Sequence, residues 1–189
     1  EDGDGLIVPQ ATTLMIDAGT LLKLRKANID AGTSAQAVDR SAAAIQLLGT
    51  PDFNVLMRSF YDDAMGGDTD PADSIQPAAG QWGGLVMRDD SDLEQEGIFL
   101  NWINHADIQH GGGRVFVGSV ERSFAPVHML TARPTVSFNT LTQNAGAAIS
   151  ANPNSFEETR DRVGPDVHGN SVTDNSLNGL FIRIETQTD

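Results

Sequence analysis

Two hexapeptides, 31 residues apart, constrain this chain more than anything else in it. Asn139-Thr-Leu-Thr-Gln-Asn144 and Asn170-Ser-Val-Thr-Asp-Asn175 share one pattern: Asn, hydroxyl, aliphatic, Thr, polar, Asn. A weaker copy, Ala106-Asp-Ile-Gln-His-Gly111, lies 33 residues before the first. An apolar residue stands five positions ahead of each central aliphatic: Ile103 before Ile108, Val136 before Leu141, Val167 before Val172. Repetition on this scale marks an architecture in which one unit buries its apolar face only against the next. A strand points residues alternately in and out. An Asn between two inward aliphatics can take a left-handed bend and carry the chain onto a second face. Asn139, Asn144, Asn170 and Asn175 are therefore the expected bends, stacked so that their side chains hydrogen-bond from coil to coil.

The rest of the chain is punctuated in the same way. Apolar runs last four to seven residues and stop at Gly, Asn, Asp or Pro, as strands do. The runs expected as strands are Leu14–Ile16, Leu21–Leu24, Ile45–Leu48, Val55–Arg58, Gly84–Met87, Ile98–Ile103, Arg114–Val117, Val127–Leu130, Thr135–Phe138 and Leu180–Ile184. The 19 glycines fall mostly between these runs, where turns need positive φ. The best helical candidate is the alanine-rich Ser34–Leu48, which reads equally as an excursion followed by a strand from Ala43 to Leu48. Asn152-Pro-Asn-Ser-Phe-Glu-Glu158 reads as a cap and a short helix start. No Asn-Gly or Asp-Gly pair sits cleanly between two alternating runs, which disfavours a hairpin-built sandwich. The expectation is an all-β, right-handed parallel β-helix spanning 1–189 as one domain, with irregular excursions and one short helix.

Composition narrows what such a domain binds. A formal charge of -14 opposes both nucleic acid and an anionic membrane surface, and suits a soluble exterior or one that binds divalent cations. There is no cysteine, so a disulfide framework and a thiolate metal site are both excluded. Apolar stretches such as Gly179 to Ile182 are too short to span a bilayer as a helix. The opening Glu-Asp-Gly-Asp-Gly reads as the inside of a longer polypeptide or as a processed product.

Three segments carry a resemblance: Phe53-Asn-Val-Leu-Met-Arg-Ser-Phe-Tyr-Asp-Asp63, Gly80-Gln-Trp-Gly-Gly-Leu-Val-Met87 and Ile103-Asn-His-Ala-Asp-Ile-Gln-His-Gly-Gly-Gly113. They resemble successive coils of large bacterial secreted right-handed β-helix repeat proteins, as do Ala132–Asn139, Ser150–Glu158 and Arg162–Asn170. The resemblance implies a module of a giant extracellular surface, matrix or adhesive protein, continuing in a larger chain or self-associating. It also implies a longer loop after Glu158 than the Thr159-Arg160-Asp161 found here.

Several groups are candidates for chemistry. Asp62, Asp63, Asp68, Asp70 and Asp73, interleaved with Gly66 and Gly67, offer oxygens for Ca²⁺, or else form a solvated loop of Asx turns. Asp89, Asp90 and Asp92 with Glu94 and Glu96 form a second acidic run, read as a hydrated turn. His105, His110, His128 and His168 invite a transition-metal reading. Against it, His105 and His110 straddle an expected bend, which is poor ligand geometry. Polysaccharide lyases and hydrolases use this fold, so Asp107, Asp174 and Arg183 are the catalytic candidates. Asp107 and Asp174 are read as equivalent positions two coils apart, with Gln143 between them. Trp82, Trp102, Tyr61 and Phe60 could stack on a carbohydrate, although Trp82 beside Gly83-Gly84 reads equally as packing. Arg133-Pro134 reads as a turn into a strand.

Overall fold

Short strands with alternating aliphatics bury little alone, so the register between successive turns decides the fold. The computed structural model describes residues 5–34, 38–93, 96–117, 120–157 and 164–184. Its first turn comprises β1 (Leu6–Ile7), β2 (Thr13–Asp17) and β3 (Leu21–Leu24). The second comprises β4 (Ile29–Ala31), β5 (Ala44–Leu48) and β6 (Val55–Ser59). The third comprises β7 (Leu85–Arg88), β8 (Trp102–Asn104) and β9 (Ala106–Gln109), followed by a hairpin of β10 (Arg114–Val117) and β11 (Val120–Ser123). The fourth is β12 (Val127–Leu130), β13 (Thr135–Ser137) and β14 (Thr140–Thr142). The fifth is β15 (Ala147–Ala151), β16 (Asp166–His168) and β17 (Ser171–Thr173), and β18 (Leu177–Ile182) opens a sixth.

Strands from the same place in each turn form one sheet. Sheet A runs β1-β4-β7-β12-β15-β18, sheet B β2-β5-β8-β13-β16 and sheet C β3-β6-β9-β14-β17. Pairing within all three is parallel, so the architecture is parallel and β-helix-like. Among the described residues, no helix is long and apolar enough to cross a membrane.

The core is three columns of inward side chains. Leu22, Met57, Ile108, Leu141 and Val172 follow one another in register through sheet C. Ile16, Leu47, Ile103, Val136 and Val167 do so in sheet B, and Ile29, Leu85, Val127 and Ile149 in sheet A. The middle members of each column are fully buried, each contributing about 1.5–3 kcal/mol of transfer free energy. The five-residue spacing seen in the sequence is thus the step from a sheet B strand, around one corner, to sheet C.

The corners correct one expectation. None of Asn139, Asn144, Asn170 and Asn175 has a positive φ; the left-handed residue is the one before each, namely Phe138 (φ 57), Gln143 (φ 56), Gly169 (φ 66) and Asp174 (φ 54). The Asn stays out of the bend so that its amide can lie along the stack. Asn139 accepts from the Ala106 N–H (2.8 Å) and donates through Nδ2 to the Ile103 carbonyl (2.7 Å) and to Asn170 Oδ1 (2.9 Å). Asn144 repeats this with the Gly111 N–H, the Ile108 carbonyl and Asn175 Oδ1. Asn101 and Asn152, which no repeat flagged, also accept from a backbone N–H of the preceding turn, those of Ile45 and Thr131.

Other segments differ from expectation for local reasons. Of Ser34–Leu48, only Ala44–Leu48 is regular, as a strand, and residues 35–37 lie outside the described set. The strand expected from Ile98 begins at Trp102, because Asn101 is tied back to Ser91 and Asp92. Asn152 caps a 3-10 turn at Pro153–Phe156, accepting from the Ser155 N–H. Glu94, Glu158 and Thr159-Arg160-Asp161 lie outside the described residues. The hairpin was not foreseen: its Val115, with Phe124, packs on Val86 and covers the outer side of sheet A.

Candidate functional site

The side chains that sequence reasoning nominated for catalysis are not brought together. Asp107 is the second residue of its hexapeptide, so it pairs with Thr140 and faces outward from sheet C. Asp174 is the fifth residue of its own, and its carbonyl accepts from the Gln143 N–H at the corner. The equivalence expected between them is therefore wrong by three positions: Asp174 stacks over Gln143 and His110. Arg183 follows a sheet A strand and donates to the Ser123 carbonyl of the hairpin (2.9 Å), lining a separate cavity of about 290 Å³ with Phe124 and Phe181.

The five carboxylates nominated for Ca²⁺ are also dispersed. Asp68 accepts from the Asp70 N–H, Asp70 from the Ala72 N–H and Asp73 from the Ile75 N–H, three successive Asx turns. Asp63 is exposed, while Asp62 is buried against Arg58. Among the described residues, no three His, Asp or Glu side chains gather to hold a metal ion. The histidines separate too. His105 stacks on Phe138, His168 meets the edge of that ring, and His128 is buried against Ser150. In the second acidic run, Asp92 accepts from the N–H groups of Leu100 and Arg133, and burial nevertheless pushes its carboxyl above the ordinary range.

What the fold does assemble lies at the corner between sheets C and A in the first three turns. Arg58, on the outer side of β6, is 4% exposed. It donates to the Asp107 carbonyl (2.7 Å) and to the Asp107 carboxylate, and its Nε lies 3.6 Å from Asp62. Two carboxylates thus share one buried guanidinium. This network ties the first turn of the 60–84 excursion to sheet C. Beside it, His110 Nδ1 accepts from the Ser59 N–H, and Nε2 meets Gln143 Oε1 at 3.2 Å. Burial holds its imidazole below the ordinary range, against the pull of Gln143 and Asp62.

Gln81 fastens the other end of the excursion. It accepts from Ser59 Oγ and the Ala78 N–H, donates to the Gln76 carbonyl, and its own carbonyl receives the Lys26 N–H. Trp82 follows, fully buried, with Nε1 on the Gln109 carbonyl (2.7 Å); it is packing, not a sugar platform. Trp102 is 45% exposed on sheet B, apart from this corner. Arg133 starts the turn into β13, donating to the carbonyls of Asn154 and Glu157.

The excursion and the hairpin leave an open cleft of about 450 Å³. Arg25, Lys26 and Arg114 bring cations to it, Tyr61 and Phe116 bring aromatic rings, and Gln81 and Glu121 complete the polar lining. The Arg25 guanidinium lies over the Phe60 ring at 4.7 Å and near Tyr61 at 6.0 Å. Phe60 and Tyr61 themselves meet edge to face at 5.5 Å. Sequence reasoning singled out Phe60 and Tyr61 but missed Phe116 and the cations, which come from two distant segments. The signal available was the scarcity of Lys and Arg, 12 in all against 26 acids, which makes any convergence notable.

Searches with the chain find no matching family model, characterised protein or solved structure.

Proposed function

We propose that this chain is a non-catalytic structural module: a stretch of right-handed parallel β-helix that docks end to end with further coils of the same kind. The observation that carries it is the state of the two end turns. Leu6 and Leu180 occupy the inward column of Ile29 and Ile149, yet they are 50% and 40% exposed. Ile182 is 43% exposed in register with the buried Ala151, and Val167 and Val172 are only half-buried. Among the described residues, β1, β2 and β3 at one end, and β16, β17 and β18 at the other, are the outermost strands of the three parallel sheets. Open edges beside uncovered apolar rungs are templates for another strand layer. Parallel crossovers are overwhelmingly right-handed, which supports the hand of the coil.

The role that follows is a component of a bacterial surface layer, fibre, matrix or adhesin. It rests on the resemblance of Phe53–Asp63, Gly80–Met87 and Ile103–Gly113 to secreted β-helix repeat proteins. The acidic composition is compatible with it, since like charge keeps such a surface hydrated.

The test is the size of the particle. Light scattering behind size exclusion, with electron microscopy, should show linear association that grows with concentration. Leu6→Lys or Leu180→Lys should each reduce it to monomer while leaving the far-ultraviolet dichroism unchanged, since both positions are exposed. A monodisperse monomer at every concentration sinks the proposal.

A further inference from the structure

We infer that the cleft between the 60–84 excursion and the hairpin is a binding site for an anionic saccharide, a sugar that carries a carboxylate. The argument starts from charge. The chain carries -14 overall, so an anion approaching almost any part of it is repelled. Among the described residues that line this cleft, Lys26 and Arg114 are two cations beside one acid, Glu121, a local excess of positive charge. The Arg114–Glu121 pair is wide (3.6 Å) and its side chains are 78% and 50% exposed, so it gives Arg114 little to lose in turning to a ligand.

The aromatics narrow the ligand from any anion to a sugar. Phe116 is 56% exposed on the hairpin and, with Tyr61, lines the same cleft as the cations. The C–H faces of a pyranose pack on such rings, while its carboxylate meets guanidinium and ammonium groups and its hydroxyls meet an amide such as that of Gln81. A small inorganic anion has no use for the rings. A neutral sugar has none for the cations.

The site is also held ready. Arg25 lies over the Phe60 ring, Lys26 follows at a left-handed residue (φ 49) whose N–H is bonded to Gln81, and Gln81 is fixed from four sides. Holding the groups before the ligand arrives lowers the ordering cost of binding. The cleft lies on the side of the stack rather than at its ends, so it works equally in a monomer and in an assembly.

Calorimetric titration of the full chain with trigalacturonate, its neutral counterpart trigalactose, and inorganic phosphate tests this. Trigalacturonate should bind, trigalactose should not, and binding should weaken steeply between low and physiological salt. Lys26→Asn and Arg114→Gln should each weaken it about tenfold. Phe116→Ser should weaken the saccharide and leave phosphate unchanged. The variants alter exposed groups, and unchanged thermal melts will show that they fold. Absence of trigalacturonate binding overturns the inference. So does phosphate binding as tightly as the saccharide with no effect of Phe116→Ser, or equal binding of the acidic and neutral sugars.

Discussion

Replacing Asn139 by Ala tests whether the corner ladder, rather than the bend alone, holds the turns together. Asn139 is 1% exposed. Its removal strands the Ala106 N–H of a buried residue, takes a second donor from the Ile103 carbonyl, which stays in the β8–β13 ladder, and takes the Nδ2 donor from Asn170 Oδ1, which keeps the Asn139 N–H. A stranded buried group costs about 1–3 kcal/mol, so the expected loss is about 1–3 kcal/mol. That is a measurable share of the roughly 5–15 kcal/mol that holds a domain folded. Asn139→Asp separates geometry from chemistry. The carboxylate still accepts from Ala106, but it faces two acceptors, Ile103 O and Asn170 Oδ1, so its folded pKa must rise above about 3.9. A raised folded pKa means stability is fullest below the unfolded value and is lost as pH rises through the folded one. The variant should therefore be most stable near pH 4 and fall away toward pH 7 relative to the parent. Urea unfolding followed by far-ultraviolet dichroism measures both, provided the slope with denaturant stays constant. Asn175→Ala, half-buried in the last turn where water reaches, should cost under about 1 kcal/mol. A loss below about 0.5 kcal/mol for Asn139→Ala, or a pH-independent Asn139→Asp, refutes the ladder as a source of stability.

Two further outcomes are expected. Arg58→Met leaves Asp62 and Asp107 without their shared cation; it should cost about 3–5 kcal/mol at pH 7, and an unchanged urea midpoint would show the network to be ornamental. His110, its pKa lowered by burial, binds fewer protons folded than unfolded, so its contribution is full above about pH 6.5 and is lost as pH falls through that value to the lower folded one. Its imidazole resonance should titrate below about 6.5, and a midpoint at or above that value contradicts the burial argument.

The sequence was most readable where turns are short and uninterrupted. From Ile103 to Val172 the alternation of one inward aliphatic per triplet survives intact, and the 31-residue offset is the hydrogen-bonded register itself. It was least readable where a small residue or a side-chain bond replaces the pattern. β4 (Ile29–Ala31) and β15 (Ala147–Ala151) are buried strands with alanine at key positions, so hydropathy does not mark them. Glycines at the corner between sheets C and A hide close backbone contact: a Cβ on Gly84 would collide with the Ala125 carbonyl, and Gly112, at φ +83, touches that of Ala145. The cleft was unreadable for a different reason. Its groups come from the turn after β3, the excursion after β6 and the hairpin, and no local pattern announces that three such segments meet.

The contrast between the two halves of the stack bears on how such a chain acquires function. In the fourth and fifth turns, the corners into and out of sheet C are as tight as a left-handed residue and an Asn allow, and the outer side of sheet C there carries only small hydroxyls, Thr140, Thr142, Ser171 and Thr173. In the second and third turns the same corners open into the 60–84 excursion and the hairpin, and there the charged and aromatic side chains collect. A stack tolerates this because each turn needs only its neighbours' strand triplets in register, and a long loop between two triplets adds closure entropy only slowly with its length. Arg58 shows the requirement that remains. An excursion must be tied back to the sheet it leaves, and a buried guanidinium between Asp107 of one turn and Asp62 of the loop does so. The frame is thus set by aliphatics and Asn, and the chemistry by what the loops bring to one corner.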